Sequence, residues 1–202
     1  MREEQPLMQN IFSRLSFCRA RPLSLIFALA LAGASCVYVP RSTSDVPVLN
    51  PLNDWLYRGS QPQEADFQDF REKGIRTVVN FREEPGWVEW ERKKVEGLGM
   101  KYVSLPWNIT RSVSPELLDE FFKVLDDPRN RPVLFHCKHG RDRSGVMAVL
   151  ALMHYEKMSE EEARQFALQT VQPHLRYRPF VNQKIKFFLK SRPSDFSRSE
   201  SS

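Results

Sequence analysis

The stretch VLFHCKHGRDRSGVMAVLALM, residues 133–153, reads in three parts. Arg131 to His136 is apolar and β-branched or aromatic enough for a buried strand, and Ser144 to Lys157 is an apolar helix. Between them stand Cys137, Lys138, His139, Gly140, Arg141, Asp142 and Arg143, a concentration of charge that no strand-to-helix connection needs for its own sake. Such a turn sits at the carboxyl end of a strand, where open α/β sheets bind ligands. It leads into a helix N-terminus, whose N–H groups and dipole favour an anion. Gly140 lets the backbone curl into a nest of N–H groups, and the Arg143 fork matches two phosphate oxygens. Cys137 heads this electropositive bowl, the setting in which a thiol reacts as thiolate. The seven residues describe a dianion cradle with a sulfur nucleophile at its base.

Working outward, the chain alternates strand and helix patterns from Trp55 onward. Leu56 to Arg58 reads as a short strand running into the Gly59-Ser60-Gln61-Pro62 turn, Glu64 to Lys73 as a helix and Ile75 to Phe81 as a strand. Trp87 to Leu98 is a charged helix and Lys101 to Leu105 a strand. A helix runs to about Asp126, with Ser114 as its cap and Pro115 at its first position. Ser159 to Val171 and Pro179 to Ser191 add two helices after the 144–157 one. The alternation predicts an α/β fold: a central, mostly parallel sheet of four to five strands flanked by helices.

Residues 1–36 carry a different pattern. Arg14, Arg19 and Arg21 precede an apolar run from Leu23 to Ala32, then Gly33-Ala34-Ser35 and Cys36. A basic flank, about ten apolar residues and small residues describe a signal peptide. Cys36 also fits a lipoprotein signal. An uncleaved membrane anchor is the alternative, because the run stretches to Val39, about 17 residues, the lower limit of a span. Either reading puts the rest of the chain outside the cytoplasm, in the periplasm or cell envelope, with membrane association through the N-terminal segment. Residues 37–49 read as a linker, 50–191 as the folded domain and 192–202 as a polar tail. Of three cysteines, Cys18 and Cys36 belong to the leader, which leaves Cys137 without a disulfide partner. The net charge of +5 forms no basic stripe with interleaved aromatics, so nucleic acid is not an expected partner.

Cys137, five residues and Arg143, followed by Ser144-Gly145 and preceded by His136, resembles the signature of the cysteine-dependent protein tyrosine phosphatase superfamily. Together with LYRGSQP (residues 56–62), the pattern is similar to the compact dual-specificity branch, and within it to exported bacterial tyrosine phosphatases. The resemblance implies hydrolysis of phosphomonoesters through a cysteinyl-phosphate, without metal or cofactor. Carried onto this chain, Cys137 is the nucleophile and Arg143 binds the phosphoryl group and stabilises the transition state. Ser144 hydrogen-bonds the departing sulfur, and His136 orients the loop. Lys138, His139, Gly140 and Arg141 complete the substrate-binding set.

The pattern departs from the family at the general acid. The loop from Leu105 to Val113 carries no carboxylate, and Asn108 and Thr110 cannot protonate a leaving oxygen. Glu116 and Asp119 read as the solvated start of a helix. Asp142 is the better candidate, against the plainer role of bracing Arg143 or a neighbouring amide. Lys138 and Arg141 resemble loops that meet the extra phosphates of inositol phosphates or phosphoinositides. Phosphotyrosine on protein is the first expectation, dual specificity being open. Polyphosphorylated inositols are the alternative, and a catalytically weak phosphate-binding module is a third.

Overall fold

A strand buried on both faces fixes the layout. The computed structural model describes residues 46–169 and 171–196. In chain order its elements are β1 (Asn50–Pro51), β2 (Leu56–Gly59), α1 (Asp66–Glu72), β3 (Thr77–Asn80), α2 (Pro85–Gly97), β4 (Lys101–Ser104), α3 (Glu116–Asp126), β5 (Val133–His136), α4 (Arg143–Tyr155), α5 (Glu160–Gln169), α6 (Arg178–Ser191) and α7 (Pro193–Phe196). The sheet has the order β1-β2-β5-β3-β4. β2, β5, β3 and β4 are parallel, and β1 pairs antiparallel with β2. The expected α/β sheet of up to five strands is therefore the one observed.

β5 is the middle strand. Leu134 pairs with Tyr57 on one side and Val78 on the other, and His136 with Gly59 and Asn80. A strand covered on both faces reads as a continuous apolar run, which Val133-Leu134-Phe135 supplies. One face of the sheet packs Val78 and Leu134 against Phe67 and Phe70 of α1 and Val95 of α2. The opposite face packs Phe81 and Phe135 under α3, α4 and α6, where Phe121 stands edge-on to Phe135 at 5.2 Å. Side chains alternate along a strand, so Phe135 and Cys137 share the α3–α6 face while His136 turns toward α2. Ser144 to Leu152 of α4 are all buried, as a helix apolar on every side must be. α5 starts on a capping box in which the Ser159 N–H donates to Glu162 Oε2 at 2.7 Å.

Two boundaries differ from the sequence reading. Val46 and Val48 are buried and belong to the domain rather than to a linker, since the Val46 N–H donates to the His139 carbonyl at 3.2 Å. The expected polar tail begins later than residue 192: Pro193–Phe196 is helical, and the Phe196 ring lies 6.3 Å from Phe122. The expected leader, most of the linker and residues 197–202 lie outside the described residues. No helix among the described residues is long and apolar enough to cross a membrane.

The turn after β2 passes close under the Cys137 loop. A Cβ on Gly59 would stand 2.1 Å from the Val48 carbonyl oxygen. Gly59→Ala is accordingly expected to destabilise the domain by about 1–3 kcal/mol through overpacking. Thermal unfolding should register this as a Tm lowered on the order of 5 °C.

Candidate active site

The loop from Cys137 to Asp142 closes onto the N-terminus of α4, with Asp142 at the cap position. Gly140 adopts φ +69°, and a Cβ there would meet the Val46 side chain at 2.6 Å and the Gly59 backbone at 2.8 Å. Only glycine satisfies both the left-handed backbone and the close approach. The carbonyls of Lys138 and His139 are drawn outward, accepting from the Gln61 N–H at 3.1 Å and the Val46 N–H at 3.2 Å. In a trans peptide the C=O and N–H point in opposite directions, so the His139 and Gly140 amides turn the other way, toward the cleft. Cys137 is 3% exposed, and its Sγ lies 3.4 Å from the Ser144 hydroxyl. Arg143 is anchored by one end of its fork. Its Nη1 donates to the Phe81 carbonyl at 2.8 Å and the Trp107 carbonyl at 3.2 Å, which fixes the guanidinium at the cleft wall.

Two buried groups stand behind the loop. Arg58 of β2 is 1% exposed and lies on the same face of the sheet as Cys137; its Nη1 donates to the Ala167 carbonyl at 2.7 Å. Burial pushes its guanidinium down to about 10, and the charge of Cys137 works in the opposite sense. On the other face, His136 Nδ1 donates to the Cys137 carbonyl at 3.3 Å and its Nε2 lies 2.8 Å from Glu91 Oε1. Glu91 and His136 are fully buried. The second Glu91 oxygen accepts from Asn80 Nδ2 at 2.5 Å, and Asn80 also donates to the Tyr102 hydroxyl at 2.9 Å.

In front of the loop is a cleft of about 1190 Å³. Cys137, Lys138, His139, Asp142 and Arg143 line it, joined by Glu83, Glu84, Asn108, Ile109 and Arg111 on one side and by His174, Leu175, Arg176 and Tyr177 on the other. Of the residues singled out in the sequence, Ser144 and His136 sit beneath the loop and Gly140 inside its wall. Arg141 turns away, its Nε donating to the Gln172 carbonyl at 2.7 Å, and it does not line the cleft. Asp119 pairs with Arg192 on another face of the domain, and neither it nor Glu116 reaches the cleft. Both oxygens of Asp142 are engaged by His174: Oδ1 accepts from its backbone N–H at 2.9 Å and Oδ2 from its Nδ1 at 2.7 Å. Sequence reasoning missed the 174–177 wall, together with Glu83, Glu84, Arg111, Arg58 and Glu91. Of these only Arg58 stood in a motif.

The carboxylates opposite the loop are also committed. Glu83 accepts from Asn108 Nδ2 at 2.8 Å and from Arg111 Nη1 at 3.3 Å. The Arg82 hydrogen bonds hold the Glu84 carboxyl down at about 2, so it stays ionised at neutral pH. Lys184 of α6 donates to the Arg111 carbonyl at 2.6 Å and ties the 105–113 loop to the helical layer.

A parallel sheet whose middle strand ends in a thiol, a glycine-curled loop and an anchored arginine at a helix N-terminus is the architecture of the compact, cysteine-dependent dual-specificity phosphatases. The family described as DSP-PTPase phosphatase fused to NAD+ Kinase matches residues 31–182, and the chain belongs to that family. The dual specificity protein phosphatase TpbA of Pseudomonas aeruginosa is 26% identical over 169 residues, which are 79% of this chain and 73% of that protein. The inositol diphosphatase DSP2 of Oryza sativa subsp. japonica is 31% identical over 108 residues, 50% of this chain and 52% of that protein. This chain thus spans about half the length of the plant relative. A crystal structure of P. aeruginosa TpbA in complex with pTyr shares the fold with a TM-score of 0.56 at 18% identity, covering 75% of this chain and 98% of that one.

Glu91 is buried beside His136 and accepts from Asn80, and removing it leaves a buried Asn80 donor unsatisfied, at a cost of about 1–3 kcal/mol. Glu91→Ala, distant from the cleft, is expected to lower the urea midpoint accordingly. An unchanged midpoint would show that Glu91 is not part of what holds the loop.

Proposed function

We propose that this domain hydrolyses phosphotyrosyl groups on protein through a cysteinyl-phosphate at Cys137. One observation carries the reading: a buried thiol 3.4 Å from Ser144 Oγ lies on the floor of a cleft that Arg143 also lines. Sγ attacks phosphorus, the ester bond breaks, and water then cleaves the phosphorus–sulfur bond. Loop amides and the outer edge of the Arg143 fork meet the charge on the equatorial oxygens, a preorganised stabilisation that needs no metal. Ser144 hydrogen-bonds the sulfur as it leaves in the second step. His136 holds the Cys137 carbonyl and with it the loop. Ile109 and Tyr177 give the cleft apolar and aromatic wall suited to a tyrosyl ring. The likeness to a phosphatase solved with pTyr supports this substrate.

A second reading is favoured by a separate observation. Lys138, Arg111 and Arg176 add three cations to the cleft beyond Arg143, and one relative is an inositol diphosphatase. A polyphosphorylated inositol would engage them through its further phosphates. Arg141, bound to Gln172, has no part in this reading.

Two measurements test the proposal. Cys137→Ser is expected to lower turnover of p-nitrophenyl phosphate by ~10³-fold or more, while tungstate still binds. Activity near the wild-type level would rule out the covalent route. In the second, Lys138, Arg111 and Arg176 are replaced together by glutamine. If phosphotyrosyl protein is the substrate, KM for a phosphotyrosyl peptide should rise by less than about threefold. Any loss on an inositol polyphosphate should then be no larger, because each well-made phosphate contact is worth roughly tenfold. A rise on the order of 10²-fold for the inositol polyphosphate alone would move the assignment to that substrate.

A further inference from the structure

The 105–113 loop carries no carboxylate, and the carboxylates that do line the cleft already accept hydrogen bonds. Asp142 accepts from the two N–H groups of His174, Glu83 from Asn108 and Arg111, and Glu84 from Arg82. Each is spent as an acceptor. The imidazole of His174 is placed differently. It lines the same cleft as Cys137 and Arg143, and its side chain is 31% exposed. Asp142 engages Nδ1, and the same carboxylate fixes the His174 backbone, so ring and main chain are held together. A carboxylate bound to one imidazole nitrogen sets the tautomer and orientation of the ring and leaves the other nitrogen for proton transfer.

We propose that His174 is the general acid of this phosphatase, delivering a proton from Nε2 to the leaving oxygen, and that Asp142 acts as its positioning residue. The proposal rests on the cysteinyl-phosphate reading. In the first step the Cys137 sulfur forms a bond to phosphorus and the phosphorus–oxygen ester bond breaks. Its electron pair goes to the leaving oxygen, and that oxygen takes the Nε2 proton, giving a phenol or alcohol and neutral His174. In the second step water attacks phosphorus and passes its proton to Nε2. The phosphorus–sulfur bond breaks with its electrons returning to sulfur, and inorganic phosphate departs. Thiolate and protonated histidine are both restored.

Several elements contribute the groups that surround His174. Asp142 is in contact, and the His139 and Tyr177 rings lie 5.0 and 6.0 Å from the imidazole. Lys138 and Arg143 come from the loop, Arg176 from the same segment, and Glu83, Glu84 and Arg111 from across the cleft. The Arg178 N–H donates to the His174 carbonyl at 3.1 Å and seats the segment on α6.

The test compares His174→Gln, Asp142→Asn, Glu83→Gln and Cys137→Ser in the full chain, on phenyl phosphate and on p-nitrophenyl phosphate across pH. Tungstate binding and thermal melts check that each variant is folded. A proton donor matters most for the poorer leaving group. His174→Gln should therefore reduce kcat/KM on phenyl phosphate by roughly 10²-fold, and on the nitrophenyl ester by less than about threefold. It should also remove the alkaline limb of the phenyl phosphate profile. Asp142→Asn should show the same leaving-group dependence at smaller size. A loss on His174→Gln equal for both esters, or a leaving-group-dependent loss confined to Glu83→Gln, overturns the assignment. Wild-type turnover by Cys137→Ser would overturn the covalent reading itself, so the two failures are told apart.

Discussion

An anion-binding loop at the end of a strand has to turn its carbonyls away from the ligand, and those carbonyls must then be satisfied elsewhere. Here the Gln61 and Val46 amides accept that duty. They can approach because Gly59 and Gly140 bring no side chains to a place where backbone meets backbone. Much of the layout depends on this seat. The chain ahead of β1 must return to the sheet to bring in Val46. β2 must lie beside β5 in register, so that the turn after Gly59 runs beneath Lys138. A side chain at Gly140 would press the loop away from Val46 and the Gly59 backbone, and one at Gly59 would displace the Val48 backbone that leads in beside it.

Charge is arranged in depth around the same loop. Lys138, Arg111, Arg176 and Arg143 stand in front, and Arg58 stands behind in the apolar layer. Burying ions is costly unless their partners are complete. The Glu91 carboxylate is held on one oxygen by Asn80 and, at 3.4 Å, by Gln61 Nε2, while its other oxygen stands 2.8 Å from His136 Nε2 without a hydrogen bond. Burial and the Glu91 charge together push the Tyr102 hydroxyl up, so it stays neutral and completes the network as a hydrogen-bonding group. One face of the sheet thus handles the sulfur and the other the histidine that holds the loop.

What the sequence disclosed had local causes. β5 and α4 are continuous apolar segments, and Cys137 to Ser144 carries its chemistry in consecutive residues, so both could be read without a partner. What it concealed depends on pairing at a distance. Glu91 looks like one more charge on a charged helix until the sheet sets it against His136. His174 is 32 residues from Asp142, in a turn with no period of its own, and only the fold joins them. Arg141 shows the converse limit: its position in the loop was plain, but the direction of its side chain was decided by Gln172. Val46 and Val48 were hidden among prolines and polar residues that read as linker.

Among the described residues Cys137 is the only cysteine, and it is buried on the floor of the cleft. With so little of the side chain exposed, its sulfur meets small oxidants such as peroxide more readily than bulky ones. A sulfenic acid formed on it finds no second thiol among those residues to condense with. Its way back then runs through an incoming low-molecular-weight thiol or a neighbouring backbone nitrogen. Further oxidation to the sulfinic or sulfonic form would add negative charge where the loop is built to receive phosphate. The cradle that favours the substrate would in that event hold the damaged sulfur in place.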